Sequence, residues 1–311
     1  MGCNELALLT RCIPRSRLAP LAMALDYWVE FFEDLQYVRG RSKNTVMAYR
    51  RDLDVFSEFL EKEKDVNLIY DFLNKKKLSL RSQARIISSI RTYYRYCMTK
   101  GMKVPELTAL RPPKIKPKLP DVINVEDFEK LVESSKVEDE HKTNRNHLTL
   151  FLLFGLGCRV TELIGLNLTD FNPTDSWLSV MGKGGKQRLL PLTEKLNERI
   201  VDYIKNDREL LLKDQKSKSI LINDRGKCPS RIDIWRWLDA WSKKSGFDKT
   251  VSPHQFRHGC ATVLLEGGAD LRSIQMLLGH SSIQSTQIYT SVTTDTIQKE
   301  VEKHHPLSKL K

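Results

Sequence analysis

The chain has 311 residues, 40% of them hydrophobic, which favours two folded domains and excludes general disorder. Its apolar runs fall well short of the roughly 18 consecutive residues that a transmembrane helix requires, so no membrane-spanning segment is predicted. Lysine and arginine number 51 against 39 aspartate and glutamate, a net charge of +12. This excess favours a polyanionic partner such as nucleic acid, although a basic surface can also be merely solvated.

The N-terminal region and the cysteines indicate a cytoplasmic protein. The six cysteines show no CxxC spacing and are interpreted as reduced thiols. The short apolar run near the N-terminus has no basic region before it, so a cleaved secretory signal is not expected. Met23 directly precedes the first well-patterned helix, and residues 1–22 are therefore predicted to be a flexible tail or the product of a misassigned start codon.

Residues 23–110 carry a helical pattern, with turn signals between the segments. Ser42 is the predicted start of the second helix and Ser79 that of the fourth, because a serine side chain caps the free backbone N–H groups of a helix. A short third segment ends at Asn74. We therefore predict an N-terminal domain of four helices.

A proline-rich basic segment, RPPKIKPKLP, occupies residues 111–120. Four prolines in this segment prevent regular structure, so it is predicted to be an extended linker between two domains. Residues 23–117 hold 19 basic and 12 acidic side chains, whereas residues 118–311 hold 29 and 26. The N-terminal domain is therefore expected to provide most of the nonspecific attraction to phosphate.

Residues 121–311 are predicted to form a second domain. Two apolar segments around a glycine turn, WLSVMGKGGKQRLLPL at residues 177–192, indicate a β-hairpin. Helices are predicted at Val125–Ser134, Asn146–Gly155, Glu194–Leu212, Arg231–Ser245, Pro253–Glu266 and Leu271–Leu278. The predicted fold class is mainly α with a small β-sheet.

Four short motifs in the second domain could carry chemistry. HQFRH places His254 and Arg257 on one helical face, where they present donors to one anion or form an ordinary surface pair. A zinc protease motif would need glutamate where Gln255 stands. GKGGK, at Gly182–Lys186, lacks the spacing of a phosphate-binding P-loop, so it either projects Lys183 from a hairpin or serves only as a turn.

The other two motifs place an arginine and a tyrosine in largely apolar surroundings. Arg159, within GLGCRVTEL, needs a partner, and Glu162 either holds it toward a ligand or forms a purely structural salt bridge with it. Tyr289 follows His280 by nine residues in LLGHSSIQSTQIYTSV, and a tyrosine there could equally belong to the core. Taken singly, each motif could have a purely structural role.

Taken together and in this order, the motifs resemble those of the tyrosine recombinases, the phage integrase family. The resemblance is carried by GLGCRVTELIGL, by GKGGKQRLLPL and by SPHQFRHGCATVLLEGGADLRSIQMLLGHSSIQSTQIYT. Upstream, SLRSQARIISSIRTYYRYC resembles the last core-binding helix of Xer-type members, so the similarity spans about residues 24–306. It implies a SAM-like core-binding domain at residues 23–110 and an α+β catalytic domain at residues 121–311.

The resemblance implies that the motif residues break and rejoin DNA. Tyr289 would be the nucleophile, which becomes joined to a 3′-phosphate and releases a 5′-hydroxyl. Arg159 and Arg257 would bind the nonbridging phosphate oxygens, a task that suits the planar guanidinium group. Lys183 would protonate the leaving 5′-oxygen.

The remaining residues of the implied site assist these steps. His254 and His280 match positions that take part in proton transfer and phosphate binding, and the sequence does not decide which of them is the base. Glu162 would orient Arg159, the alternative being a plain acid on a helix surface. Cationic side chains would neutralise the transition state and a phosphotyrosine bond conserves the phosphodiester energy, so no metal, ATP or other cofactor is expected.

The implied partner is double-stranded DNA with a specific recombination site. Basic side chains of the fourth helix and the linker are candidates for DNA contacts, the alternative for each being a solvated surface: Arg81, Arg85, Arg91, Arg95, Lys114 and Lys116. The resemblance also implies a homo- or heterotetramer on two sites, with the C-terminal helix donated to a neighbour or else folded back on its own domain. No arm-site-binding domain is expected in the stretch before Met23.

The implied function is Xer-type recombination that resolves chromosome or plasmid dimers during segregation, in the cytoplasm at the nucleoid. The alternative, with the same chemistry, is the integrase of a phage, an integron or another mobile element. A non-catalytic DNA-binding protein is disfavoured by the complete set of six residues, and a type IB topoisomerase by the Xer-like N-terminal helices. Participation of a paralogous recombinase, and of a septal DNA translocase, is left open.

Overall fold

A computed structural model describes residues 27–63, 65–102, 110–115, 122–182, 185 and 187–279. The chain divides into two compact units, Met1–Lys118 and Leu119–Lys311. The fold is mainly helical with one small antiparallel sheet, which confirms the predicted fold class.

The described part of the N-terminal unit contains four α-helices: α1 (Trp28–Glu33), α2 (Lys43–Lys62), α3 (Ile69–Lys75) and α4 (Leu80–Thr99). As predicted, Ser42 and Ser79 cap α2 and α4, because their hydroxyl oxygens accept hydrogen bonds from Thr45 N and Ser82 N at 3.3 and 3.2 Å. Helix α1 continues into a π-helical turn at Asp34–Val38.

The core of this unit lies between α2 and α4. It is rich in aromatic side chains, and those with no exposed surface or almost none are Phe31, Phe56, Phe59, Tyr93 and Tyr94. Because apolar residues recur every three to four positions along both helices, each helix buries one face and leaves the other in solvent. The exposed face of α4 carries Arg81, Arg85, Ser88 and Arg95, with Leu80 and Met98 exposed near its two ends.

The second unit contains eight helices and three strands among its described residues: α5 (Val125–Ser134), α6 (Glu140–Gly155), α7 (Val160–Ile164), β1 (Phe171–Asn172), β2 (Trp177–Met181), β3 (Gln187–Pro191), α8 (Glu194–Asp202), α9 (Arg208–Leu212), α10 (Arg231–Lys244), α11 (Pro253–Glu266) and α12 (Leu271–Leu278). The sheet order is β1-β2-β3, with both pairings antiparallel. In the hairpin, Trp177 lies opposite Pro191 and Val180 lies opposite Arg188.

Four elements differ from the prediction. Helix α6 begins at Glu140 rather than Asn146, because its first turn is polar and is capped by the Asp139 carboxylate, which accepts from Lys142 N at 3.1 Å. The helix predicted at Glu194–Leu212 is divided by a π-helical turn at Tyr203–Asp207. The short elements α7 and β1 were not predicted at all.

Helix α6 forms the centre of the second core. Leu148, Leu150, Leu152 and Leu153 are all completely buried, so this helix is covered on nearly every side. Helix α11 crosses close to the chain that enters the unit, where a Cβ at Gly259 would lie 2.3 Å from the Ile123 carbonyl oxygen. Glycine at this position therefore allows α11 to approach the core closely.

Candidate active site

The candidate site is built around the carboxylate of Glu162, on helix α7. Arg159, immediately before α7, donates to this carboxylate twice: its backbone N lies 2.9 Å from Oε2 and its Nη1 lies 2.8 Å from Oε1. Glu162 is only 3% exposed, whereas a third of the Arg159 side chain remains accessible. Glu162 thus holds Arg159 at the edge of the buried cluster.

A second arginine, Arg188 on strand β3, binds the same carboxylate in bidentate fashion. Its Nη1 and Nη2 lie 2.8 and 2.9 Å from the two carboxylate oxygens of Glu162, and its Nε donates to the Leu277 carbonyl at 3.2 Å. Sequence reasoning missed this residue. A signal was available, because period-two alternation along β3 places Arg188 on the same buried face as Leu190.

The third arginine, Arg257, comes from helix α11 and is 8% exposed. Its Nη1 donates to the Gly157 carbonyl at 2.8 Å, and its Nη2 donates to the Leu278 carbonyl. Arg159 reaches the adjacent carbonyl, with its Nη2 3.3 Å from Gly279 O. The two predicted phosphate-binding arginines, 98 positions apart in the sequence, therefore converge on neighbouring peptide groups.

The end of helix α12 explains why the arginines gather here. The carbonyls of residues 277–279 accept, in turn, from Arg188, Arg257 and Arg159. A helix C-terminus leaves carbonyl groups without intrahelical partners and carries partial negative charge. Guanidinium groups satisfy both needs, and they fix the point at which the chain leaves α12.

The cluster carries an excess of positive charge. Burial alone would raise the pKa of Glu162, but hydrogen bonds from Arg188 and Arg159 outweigh it and lower the pKa to about 2. Burial, and then the nearby charge of Arg159, lowers the pKa of Arg257 to about 10. Three guanidinium groups around one ionised carboxylate give a formal charge of +2, which a bound anion would stabilise.

Gly157 shapes the site because its carbonyl holds Arg257. It has a φ of +56°, in the left-handed region, and a Cβ added there would lie 2.5 Å from Leu278 Cδ2. A side chain at this position would therefore meet both backbone strain and a clash with the end of α12.

Replacing Gly157 with alanine is expected to lower the free energy of unfolding by about 2–4 kcal/mol, as strain and overpacking combine. The matched control is Gly246→Ala, which has a φ of +77° and nothing within 4 Å of the added Cβ. This control is expected to lose only about 1 kcal/mol. Urea unfolding of both variants measures the difference. Equal losses of unfolding free energy would show that the clash with Leu278 does not destabilise the Gly157→Ala protein.

The other sequence-predicted site residues are distributed as follows. His254 lies exposed in the first turn of α11, one residue after Pro253, whereas Arg257 one turn later is buried. Lys183, His280 and Tyr289 lie outside the described residues. In the chain, Lys183 falls in the connection between β2 and β3, and His280 directly follows Gly279.

Comparison with known proteins identifies the family. The phage integrase family profile matches residues 121–295, and the profile of the phage integrase N-terminal SAM-like domain matches residues 29–101. The chain belongs to the phage integrase family. It is similar to the tyrosine recombinase XerD of Staphylococcus epidermidis, 36% identical over 292 residues that cover 89% of this chain and 97% of the relative. The XerD protein of Staphylococcus aureus is 37% identical with the same coverage.

This similarity identifies the chain as a site-specific tyrosine recombinase of the Xer type, an enzyme that cleaves and rejoins DNA. Two solved structures share the fold. XerH recombinase bound to a palindromic difH substrate has a TM-score of 0.64 at 21% identity, covering 91% of this chain and 88% of that one. Lambda integrase residues 75–356 bound to DNA has a TM-score of 0.65 at 18% identity, covering 93% and 99%. No described helix of this recombinase is both long and apolar enough to cross a bilayer.

The predicted DNA contacts of the recombinase lie along α4. Arg81, Arg85 and Arg95 are exposed and share one face of this helix, since they are spaced by one and by nearly three turns. Arg91 is half-buried and donates through Nη1 to the Leu110 carbonyl at 2.6 Å. The exposed arginines form a basic stripe, and one of them, Arg85, pairs with the buried Asp52 carboxylate.

The ion pair between Asp52 and Arg85 is short. Asp52 Oδ1 lies 2.5 Å from Arg85 Nη1, and Oδ2 accepts from the Ser89 hydroxyl at 2.7 Å. Burial raises the pKa of Asp52, while Ser89 and Arg85 lower it in part. In the linker, Lys114 is exposed, and Lys116 lies outside the described residues.

Proposed function

We propose that this recombinase resolves chromosome or plasmid dimers by cutting and rejoining DNA through a 3′-phosphotyrosine at Tyr289. The observation that carries the chemistry is a cluster of three arginines and one carboxylate with a formal charge of +2, in which Arg159 and Arg188 pair with Glu162. Arg257 joins the cluster through the carbonyls of Gly157 and Leu278. A scissile phosphate supplies the missing negative charge. The dimer-resolving role is supported by the similarity to relatives named XerD.

In the proposed reaction, the phosphate takes up the remaining donors of Arg159 and Arg257. Each guanidinium is already fixed by Glu162 or by main-chain carbonyls, so little conformational freedom is lost when it stabilises the transition state. The Tyr289 oxygen attacks phosphorus and the bond to the 5′-oxygen breaks. Tyr289 gives its proton to a base, His254 or His280, and Lys183 protonates the leaving oxygen.

Rejoining is the reverse of cleavage. A 5′-hydroxyl attacks the phosphotyrosine, the tyrosine leaves, and the phosphodiester forms with no net loss of bond energy. The reaction therefore needs no ATP, and cationic side chains supply the charge that metal ions supply in other nucleases.

The proposed assembly is a tetramer on two specific duplex sites, with the C-terminal helix donated to a neighbour. Support comes from a lambda integrase tetramer bound to a Holliday junction, whose fold this chain shares with a TM-score of 0.64 at 19% identity, covering 89% of this chain and 85% of that one. A paralogous recombinase and a septal DNA translocase are further proposed partners. The proposed location is the cytoplasm, at the nucleoid.

The test is to trap the covalent intermediate. The protein is mixed, in EDTA, with nicked duplexes that carry candidate dimer-resolution sites from its own genome, because a nick lets the cleaved fragment leave. We expect an adduct that survives denaturation in SDS. Adducts only with the end sequences of mobile elements would contradict the dimer-resolving role and favour an integrase, and adducts that require added magnesium would contradict the metal-free chemistry.

A further inference from the structure

We propose that Arg188 is a positioning residue, which joins the three segments that carry Arg159, Lys183 and His280. This inference rests on the proposed catalytic roles of those residues. Arg188 itself is 8% exposed, whereas a third of the Arg159 side chain is accessible, so Arg188 acts through its neighbours rather than on the phosphate.

The first connection runs through Glu162. Both terminal nitrogens of Arg188 lie within 2.9 Å of the Glu162 carboxylate oxygens, and this pairing fixes the plane of the carboxylate. The same carboxylate receives Arg159 Nη1 at 2.8 Å. A shift of Arg188 therefore moves the acceptor that determines where the Arg159 guanidinium sits.

The second connection runs through the β-hairpin. Arg188 is the second residue of β3, directly after the pair Met181–Gln187 that closes the described ladder. Lys183 lies in the connection beyond that pair. The buried ion pair with Glu162 therefore anchors this end of β3 to α7. We expect a shift of Arg188 to disturb Lys183 through the short chain segment that joins them.

The third connection is to the end of α12. Arg188 Nε donates to the Leu277 carbonyl, and a Cβ at Gly279 would lie 3.2 Å from Cδ, Nε and Cζ of Arg188. The chain thus passes directly over the flat face of the guanidinium. His280 follows Gly279 in the sequence, so Arg188 holds the residue from which the chain continues to His280.

Lysine cannot replace this arrangement. Arg188 makes two parallel bonds to Glu162 and a third to Leu277 from one rigid plane, whereas an ammonium group is a point charge without a fork. Methionine keeps the length of the side chain and removes the charge and every donor. The two substitutions therefore separate charge from geometry.

The experiment compares single-turnover cleavage of the nicked duplex, at saturating DNA, with DNA affinity. We expect Arg188→Met to cleave about 100-fold more slowly and Arg188→Lys about tenfold more slowly, because misplaced groups lose rate rather than affinity. The dissociation constant should change by less than about twofold in both. The control is Arg145→Met, which removes an arginine that is 3% exposed and pairs with Asp224 at 2.5 Å in the same unit.

A second duplex, with sulfur in place of the scissile 5′-oxygen, tests the hairpin connection. A thiolate leaves without a proton, so a defect that comes from a misplaced Lys183 should shrink by about tenfold or more on this substrate. Urea unfolding shows which variants fold. If Arg188→Met does not fold, the cleavage rate of Arg188→Lys tests the inference.

The inference is overturned if Arg188→Lys cleaves at the wild-type rate, or if Arg188→Met loses no more rate than Arg145→Met. It is also overturned if the loss lies in DNA affinity alone. Wild-type protein that forms no adduct on any site would defeat the proposed function, and this inference with it. An active wild type beside a fully active Arg188 variant would defeat only the inference.

Discussion

Replacing Tyr289 with phenylalanine is expected to abolish the covalent protein–DNA adduct and to leave DNA affinity within about twofold of the wild-type value. The phenolic oxygen is the proposed nucleophile, and phenylalanine keeps the ring while removing the only atom that could bond to phosphorus. Loss of the nucleophile in a concerted site typically costs about 10⁶-fold in rate. Denaturing gels of the nicked-duplex reaction, with binding measured by gel shift, check the prediction.

The control for this experiment is Tyr37→Phe, which removes a hydroxyl from a side chain that is 75% exposed in the N-terminal unit. It is expected to form the adduct at the wild-type rate. A Tyr289→Phe protein that still forms the adduct would show that another residue attacks the phosphate.

Removing the carboxylate of Glu162 is expected to give the largest loss of stability. Glu162→Ala leaves Arg188 and Arg159 without their shared counter-ion, and breaking a buried ion pair from one side typically costs about 3–5 kcal/mol. Cleavage should fall as well, since Arg159 loses its support. Urea unfolding measures the first effect and single-turnover cleavage the second.

The ion pairs of Glu162 with Arg188 and Arg159 also predict that the free energy of unfolding depends on pH. The pKa of Glu162 is about 2 in the folded protein and 4.5 is its ordinary value, so ionisation stabilises the fold above about pH 4.5. That stabilisation, roughly 3 kcal/mol, is lost as the pH falls from 4.5 toward 2.

The conservative variant Glu162→Gln isolates the contribution of the ionised carboxylate to stability. The difference in unfolding free energy between wild type and Glu162→Gln should therefore narrow as the pH falls over this range. Glu129→Gln, on the exposed surface of α5, is the control and should show no such trend. A difference between wild type and Glu162→Gln that stays constant with pH would contradict the assigned role of the carboxylate.

Local signals predicted most of the fold. The caps at Ser42 and Ser79, the hairpin around Gly182–Lys186, and the bounds of α5, α11 and α12 follow from residues that are neighbours in sequence. The start of α6 was missed because its first turn has no apolar periodicity and is stabilised by a cap. Helical periodicity also carries no mark of a π-helical turn, so the interruption at Tyr203–Asp207 could not be anticipated.

The candidate site was only partly predictable for a different reason. Family resemblance supplied Arg159 and Arg257, but no pattern in the sequence indicates that both donate to the end of α12. Arg188 was overlooked because it stands in a strand, where a lone basic residue ordinarily faces solvent. Its role depends on contacts with Glu162 and Leu277, which are 26 and 89 positions away.

Arg159 and Arg257 each have two kinds of acceptor, because each donates to a carbonyl at the end of α12 and is also proposed to bind phosphate. Phosphate binding as proposed and the anchoring of residues 277–279 would therefore be thermodynamically linked. If bound phosphate changes the equilibrium constant for this anchoring by some factor, the anchoring changes the affinity for phosphate by the same factor. A neighbour that pulls on the chain after α12 would thus alter DNA affinity at the cluster without touching the DNA.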